Sequence, residues 1–164
     1  MKDERVLYLV RHGSAGEPNG EGKRELTEEG RAEVTALREA LEQKGVRIDR
    51  IFHSEKLRAE QTAEVLASLC ETAPTSRSGL APEDDPDVFV AEIGELGGST
   101  MIVSHLPFLP NLCDELLEDM TPLTQFRTAT AVCLRPVGEN RGRGDWRLAW
   151  QVHGRDEMGR NDER

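Results

Sequence analysis

Two histidines stand at the ends of apolar runs, each beside residues that suit a turn into a helix. The first closes Leu7-Tyr8-Leu9-Val10-Arg11-His12-Gly13, and the second closes Met101-Ile102-Val103-Ser104-His105-Leu106-Pro107. A short apolar run bounded in this way reads as a buried strand. At the carboxyl ends of parallel strands, side chains leave the core and line the crevice where ligands bind. An imidazole in that place can act as a nucleophile. Arg11 beside it offers a fork of donors matched to phosphate oxygens, and Gly13 allows a tight turn and the close approach of a ligand. A third segment, Ser54-Glu55-Lys56-Leu57-Arg58-Ala59-Glu60-Gln61-Thr62, runs from a strand end straight into a helix. Arg58 shares helical spacing with Thr62, Val65 and Leu69, which sets it on or beside the apolar stripe. A guanidinium turned inward needs an anion. A phosphate at a helix N-terminus would answer that need, and so would a salt bridge to one of the 31 acidic residues. Each feature alone also has a structural reading, as a hydrogen-bonded histidine or a surface turn. Two strand-end histidines and two arginines together read as an anion site containing a nucleophile.

The elements that must position these groups alternate along the chain. After the first strand comes a polar loop over residues 14–25. Thr27 is set to cap a helix with Glu28 and Glu29 at its positive end and Val34, Leu37 and Leu41 on one stripe. Gly45 can stop that helix in the left-handed conformation. A second strand lies within residues 46–53. Ser54 is set to cap the next helix, which runs to about residue 69, and a weaker strand is expected near 76–80. The Pro-bounded acidic loop at 82–86 leads into a short helix over 87–96. Residues 100–104 read as a fully buried strand, and 107–117 as a helix whose prolines fall in its first turn. Two closing strands are expected at 129–134 and 146–152, with Trp146 and Trp150 sharing a face. His53 and His153 read as packing or surface residues. This order predicts an α/β three-layer sandwich: a mostly parallel central sheet, helices on both faces and an antiparallel C-terminal edge. Residues 1–153 are expected to form a single domain, and 154–164 a polar tail that is disordered.

Composition narrows the partners. The 164 residues are 37% hydrophobic and 32% charged, with a formal net charge of −10. Such acidity argues against nucleic acid and anionic membrane surfaces, which need basic patches; its simplest meaning is solubility. It also makes arginines at a pocket more telling, because local cations must overcome the overall field to hold an anion. Cys70, Cys113 and Cys133 are isolated, odd in number and without metal-ligand spacing, so neither a disulfide framework nor a zinc site is expected. The five apolar residues before Arg11 are too few for a signal peptide's core or a membrane span. A cytoplasmic location is the expectation.

Taken together, the Arg11-His12-Gly13 strand end, the Arg58-Ala59-Glu60-Gln61-Thr62 helix start and the Val103-Ser104-His105-Leu106-Pro107 turn resemble the histidine phosphatase (phosphoglycerate mutase-like) superfamily in order and spacing. Arg24-Glu25-Leu26-Thr27-Glu28-Glu29-Gly30 is similar to that family's segment before its first helix. The resemblance covers roughly residues 5–152, and the short chain with its Leu57-Arg58-Ala59-Glu60-Gln61-Thr62 stretch looks most like the SixA-type phosphohistidine phosphatases. It implies that His12 attacks phosphorus and is transiently phosphorylated. Arg11 and Arg58 would grip the phosphoryl oxygens, and His105 would supply a further positive donor. No cofactor or metal is implied, because positioning and charge neutralisation carry phosphoryl transfer. Larger members place a carboxylate after the third strand to protonate the leaving group, and Glu83 or Asp84 occupies that stretch here. Gly13, Ser14 and Ser104 would stand at the pocket's periphery.

Two departures from the family pattern are visible: Glu55 follows Ser54 where a proline is frequent, and Ser104-His105-Leu106-Pro107 replaces a frequent Gly-His-Asn-Pro. About 20 residues separate the third and fourth strands, leaving little room for a lid. An open, shallow site is therefore expected, suited to a phosphorylated protein such as a histidine phosphotransfer domain. A small phosphoester is the alternative substrate, and a noncatalytic phospho-binding module the alternative function.

Overall fold

The computed structural model describes residues 5–119 and 125–159. An unbroken apolar run escapes water only between two layers, and Val6-Leu7-Tyr8-Leu9-Val10 does so as the interior strand β1 (Val6–Arg11). Val6, Tyr8 and Val10 enter one core while Leu7 and Leu9 enter the other. This is the two-residue period of a strand covered on both faces. Helices α1 (Glu28–Gln43) and α2 (Leu57–Leu66) pack on the first face; α3 (Pro86–Ile93) and α4 (Phe108–Leu116) pack on the second. Strands β2 (Arg50–His53), β3 (Thr75–Ser76), β4 (Ser99–Ser104), β5 (Thr130–Pro136) and β6 (Trp146–His153) complete a sheet ordered β3-β2-β4-β1-β5-β6. Strands β1 to β4 run parallel, while the β1–β5 and β5–β6 pairs are antiparallel.

This order places the crevice. Strand β4 lies between β1 and β2. The chain leaves β1 and β2 toward helices on one face and leaves β4 toward a helix on the other. Adjacent connections that diverge in this way leave a gap at the carboxyl edge, where ligands of open α/β sheets bind. Local chemistry fixes the approach of α1 to that edge. The Thr27 hydroxyl accepts the Gly30 N–H at 2.9 Å, and Gly45 reverses the chain after the helix at φ +77°. Gly13 and Gly30 let the strand end and the helix touch. A Cβ on Gly13 would lie 2.7 Å from Val34 Cγ2, and one on Gly30 would overlap the Ser14 backbone. Gly13 thus serves close packing of the helix, where ligand approach was expected.

The layers agree with the sequence, and several details depart from it. The second strand occupies only Arg50–His53 and the third only Thr75–Ser76. Ser54 does not cap α2, whose N-cap is Lys56 without a side-chain bond; its hydroxyl is drawn instead to His105. The tryptophans do not share a face. A register shift between Cys133 and Leu134 sets Trp150 opposite Cys133 and Leu148 opposite Leu134, and a bulge of this kind reverses the alternation. Trp146 therefore enters the α3/α4 core, while Trp150 packs on the α1 side, 5.9 Å from the Tyr8 ring. The polar tail begins as a helical turn, α5 (Gly154–Glu157). Its Gly154 N–H donates to Ala129 O, and Arg155 pairs with buried Glu33. Residues 160–164 of that tail lie outside the described residues. Among the described residues no helix is long and apolar enough to cross a membrane.

Candidate active site

Strand β1 delivers Arg11 and His12 to the carboxyl edge, β4 delivers His105, and the first turn of α2 delivers Arg58. All four line one cavity of about 280 Å³, with Ser14, Arg24 and Thr128 on its wall. His12 is 6% exposed and His105 2% exposed, and their ring centroids lie 5.0 Å apart. The His12 Nδ1 is 2.7 Å from Gly13 O. A carbonyl can only accept, so Nδ1 carries the hydrogen and Nε2 keeps its lone pair. Burial, followed by the nearby Arg58 and Arg11 charges, holds this imidazole down at about 4, from its ordinary 6.5, against the pull of the Gly13 hydrogen bond. It is neutral at pH 7.

His105 is neutral as well, held down to about 3 by burial first and then by His12 and Arg58. Its Nε2 lies 2.6 Å from the Ser54 Oγ. Ser54 is fully buried and its hydroxyl meets no other acceptor among the described residues, so its proton goes to the ring and the His105 hydrogen resides on Nδ1. Among the described residues the buried Nδ1 has no partner. In the free pocket His105 is therefore a neutral donor, where a positive one was expected. The Nε atoms of Arg11 and Arg58 are likewise buried without partners among the described residues. Burial lowers both guanidinium pKa values from 12.5, yet they stay charged at neutral pH. Unsatisfied buried N–H groups cost free energy, and an anion bearing several acceptor oxygens would satisfy all three.

The peripheral candidates divide. Ser14 lines the cavity, and its hydroxyl donates to the Glu33 carboxylate. Gly13 lies behind the cavity, its N–H donating to Thr62 Oγ1 at 3.1 Å. Ser104 points away, its hydroxyl donating to Leu80 O. Asp84 lines an adjoining cavity of about 500 Å³ that shares Arg24 and Arg58 with the first, and its carboxylate accepts the Ala81 N–H. Glu83 is exposed and lines neither cavity. His53 is buried, with Nδ1 donating to Ser54 O. His153 Nδ1 lies 2.6 Å from Thr130 Oγ1.

Three contributors were not singled out from the sequence. Arg24 reaches the cavity while donating to the Gly16 and Ala15 carbonyls. Ser54 orients His105. Glu33, fully buried, accepts the Ser14 N–H and hydroxyl and the Arg155 guanidinium. Glu33 left a local signal, a carboxylate one turn from Gly30 on the stripe of Val34 and Leu37; Arg24 entered only within its family-like segment, and Ser54 only as a cap. Among the described residues no cluster of three or more His, Cys, Asp or Glu could hold a metal ion. A larger concavity of about 650 Å³ opens beside Lys44, Arg47 and Arg135, away from the histidines. Size does not mark the site here; the unpartnered donors do.

Comparison with known proteins agrees with this fold. Residues 7–82 match the model of the histidine phosphatase superfamily (branch 1). The chain is 28% identical over 151 residues to the phosphohistidine phosphatase SixA of Escherichia coli K12, covering 87% of this chain and 92% of that one. Its fold superposes on the protein histidine phosphatase SixA complexed with tungstate, with a TM-score of 0.81 and 26% identity, over 92% of this chain and 98% of the other. A mycobacterial glucosyl-3-phosphoglycerate phosphatase complexed with VO3 shares the fold at a TM-score of 0.68 and 19% identity, over 89% and 98% of the two chains. The architecture is the phosphoglycerate mutase-like one. Over residues 7–82, which carry the strand-end histidine and both arginines, this chain is similar to the histidine phosphatase superfamily, and together with the SixA homology this indicates a hydrolase of the phosphatase class.

Proposed function

We propose that the protein is a phosphohistidine phosphatase acting on a phosphorylated protein, with His12 as the residue that takes up the phosphoryl group. One observation carries this reading. The Gly13 carbonyl fixes the His12 tautomer, so that a neutral Nε2 lone pair stands among unpartnered donors of Arg11, Arg58 and His105. The His12 Nε2 attacks phosphorus, forming an N–P bond as the bond to the leaving nitrogen breaks. The departing imidazole takes a proton from solvent. Arg11 and Arg58 hold the phosphoryl oxygens while charge redistributes among them, and the His105 Nδ1–H adds a donor. Water then attacks phosphorus, the N–P bond returns its electron pair to Nε2, and orthophosphate leaves.

An imidazole leaves readily, so this substrate places little demand on a general acid. That suits a site where Glu83 is remote and Asp84 is engaged with its own loop. The SixA relatives support the substrate class. The metabolite phosphatase of the same fold shows that architecture alone does not choose it. The test is incubation, without added metal, with a histidine-phosphorylated phosphotransfer domain beside a panel of small phosphoesters. Loss of label that depends on His12, with little ester turnover, is the expected result. Ester turnover with an inert phosphoprotein would replace this reading with a metabolite phosphatase. Anion binding with no turnover of either would leave a binding module.

A further inference from the structure

The phosphate pocket opens through Arg24 and Arg58 into the neighbouring cavity of about 500 Å³. Five cations line it: Lys23, Arg24, Lys56, Arg58 and Arg77. Against them stand Glu55 and Asp84, and Asp84 is committed to the Ala81 N–H. This local excess belongs to a chain whose formal net charge is −10. Lys56 and Arg58 have no carboxylate partner among the described residues, and Arg24 donates only to neutral carbonyls. Arg77 is held in place by stacking on the Phe52 ring at 4.7 Å and by its pair with Glu92. Among the described residues no aromatic ring lines the cavity, so it offers none of them to stack a base. Lys23 pairs with exposed Glu21 at 4.0 Å, which leaves Arg24, Lys56 and Arg58 as the cations without a carboxylate partner among the described residues; like charges gathered in this way are unfavourable in the free protein, and an incoming anion relieves that cost.

We propose that this cavity is an anion subsite that receives acidic side chains flanking the phosphohistidine of the protein substrate. The inference rests on the phosphohistidine reading above. The placement of the cations favours a protein partner over a small dianion. Lys23 and Lys56 line the cavity and are exposed, so a neighbouring protein surface can meet them. A small metabolite needs buried donors on the floor. Exposed pairs of this kind are individually weak and screened by salt, so they tune KM and leave the chemical step alone.

The test uses two phosphohistidine peptides of equal length, one with Asp and Glu on either side of the phosphohistidine and one with Asn and Gln there. Phosphoramidate serves as a substrate without flanks. The acidic peptide should show a kcat/KM higher by about five-fold at low salt, the scale of two or three exposed ion pairs. That advantage should fade at high salt and shrink in Lys56→Ala, mainly through KM, while phosphoramidate turnover holds. Equal rates on the two peptides, or an advantage indifferent to salt and to Lys56→Ala, would overturn the subsite. Turnover of phosphoserine with neither peptide accepted would instead overturn the phosphohistidine reading and assign the cavity to a small substrate's second charge.

Discussion

At the scale of the residue, the decisive feature is a neutral imidazole in a pocket of cations. Burial and the Arg58 and Arg11 charges hold His12 near 4, and burial with His12 and Arg58 holds His105 near 3. In a histidine NMR titration of the free protein, both rings should stay neutral well below 6.5. A bound sulfate, whose charge does not change over this range, should move both midpoints upward by offsetting the arginines. Midpoints near 6.5 in the free protein would contradict the geometry. His12→Ala should lower turnover about 10³-fold or more while sulfate still binds, because the arginines remain. Ser54→Ala should lower kcat about ten-fold with little change in KM, since it removes the hydrogen bond that orients His105. His12, Arg11, Arg58 and His105 were legible because strand ends and helix starts leave patterns of type and spacing. Ser54 was legible only as a cap, since its pairing with His105 spans neighbouring strands and has no local signature.

At the scale of the element, two glycines set the distance between β1 and α1. A Cβ on Gly30 would overlap the Ser14 backbone, and neither strand nor helix can yield without moving the pocket wall. Gly30→Ala should cost about 3 kcal/mol of stability by denaturant unfolding, the upper part of the overpacking range. Anion affinity should fall with it; an unchanged midpoint would show that the helix can step back. Layers and strand order followed from the alternation of apolar runs with amphipathic stripes. The bulge beside Trp150 did not, because its one extra residue is chosen by pairing with β5 and by two competing cores. The helical turn at Gly154 was hidden for a similar reason. A polar segment looked solvated until Glu33 on α1 supplied a buried partner for Arg155.

At the scale of the molecule, a net charge of −10 surrounds a small cationic site, and stability should therefore respond to pH through the two buried histidines. Unfolded, their pKa values rise to the ordinary 6.5, so below that pH the unfolded chain binds protons that the native fold does not accept until about 4 and 3. Stability should fall as pH drops through this window and recover partly with sulfate. His12→Gln should flatten the dependence. The acidity was visible in composition, whereas the cationic cavity was not, because Lys23, Lys56 and Arg77 come from three separate segments.

Formation of a phosphoenzyme on His12 is the step on which the account turns. A single turnover with a phosphohistidine-labelled protein substrate, quenched in alkali so that the N–P bond survives, would locate the label by peptide mass spectrometry. Phosphate on His12 that appears and decays at the rate of substrate loss is the expected result. Label on another residue, or substrate loss that persists in His12→Ala, would contradict it.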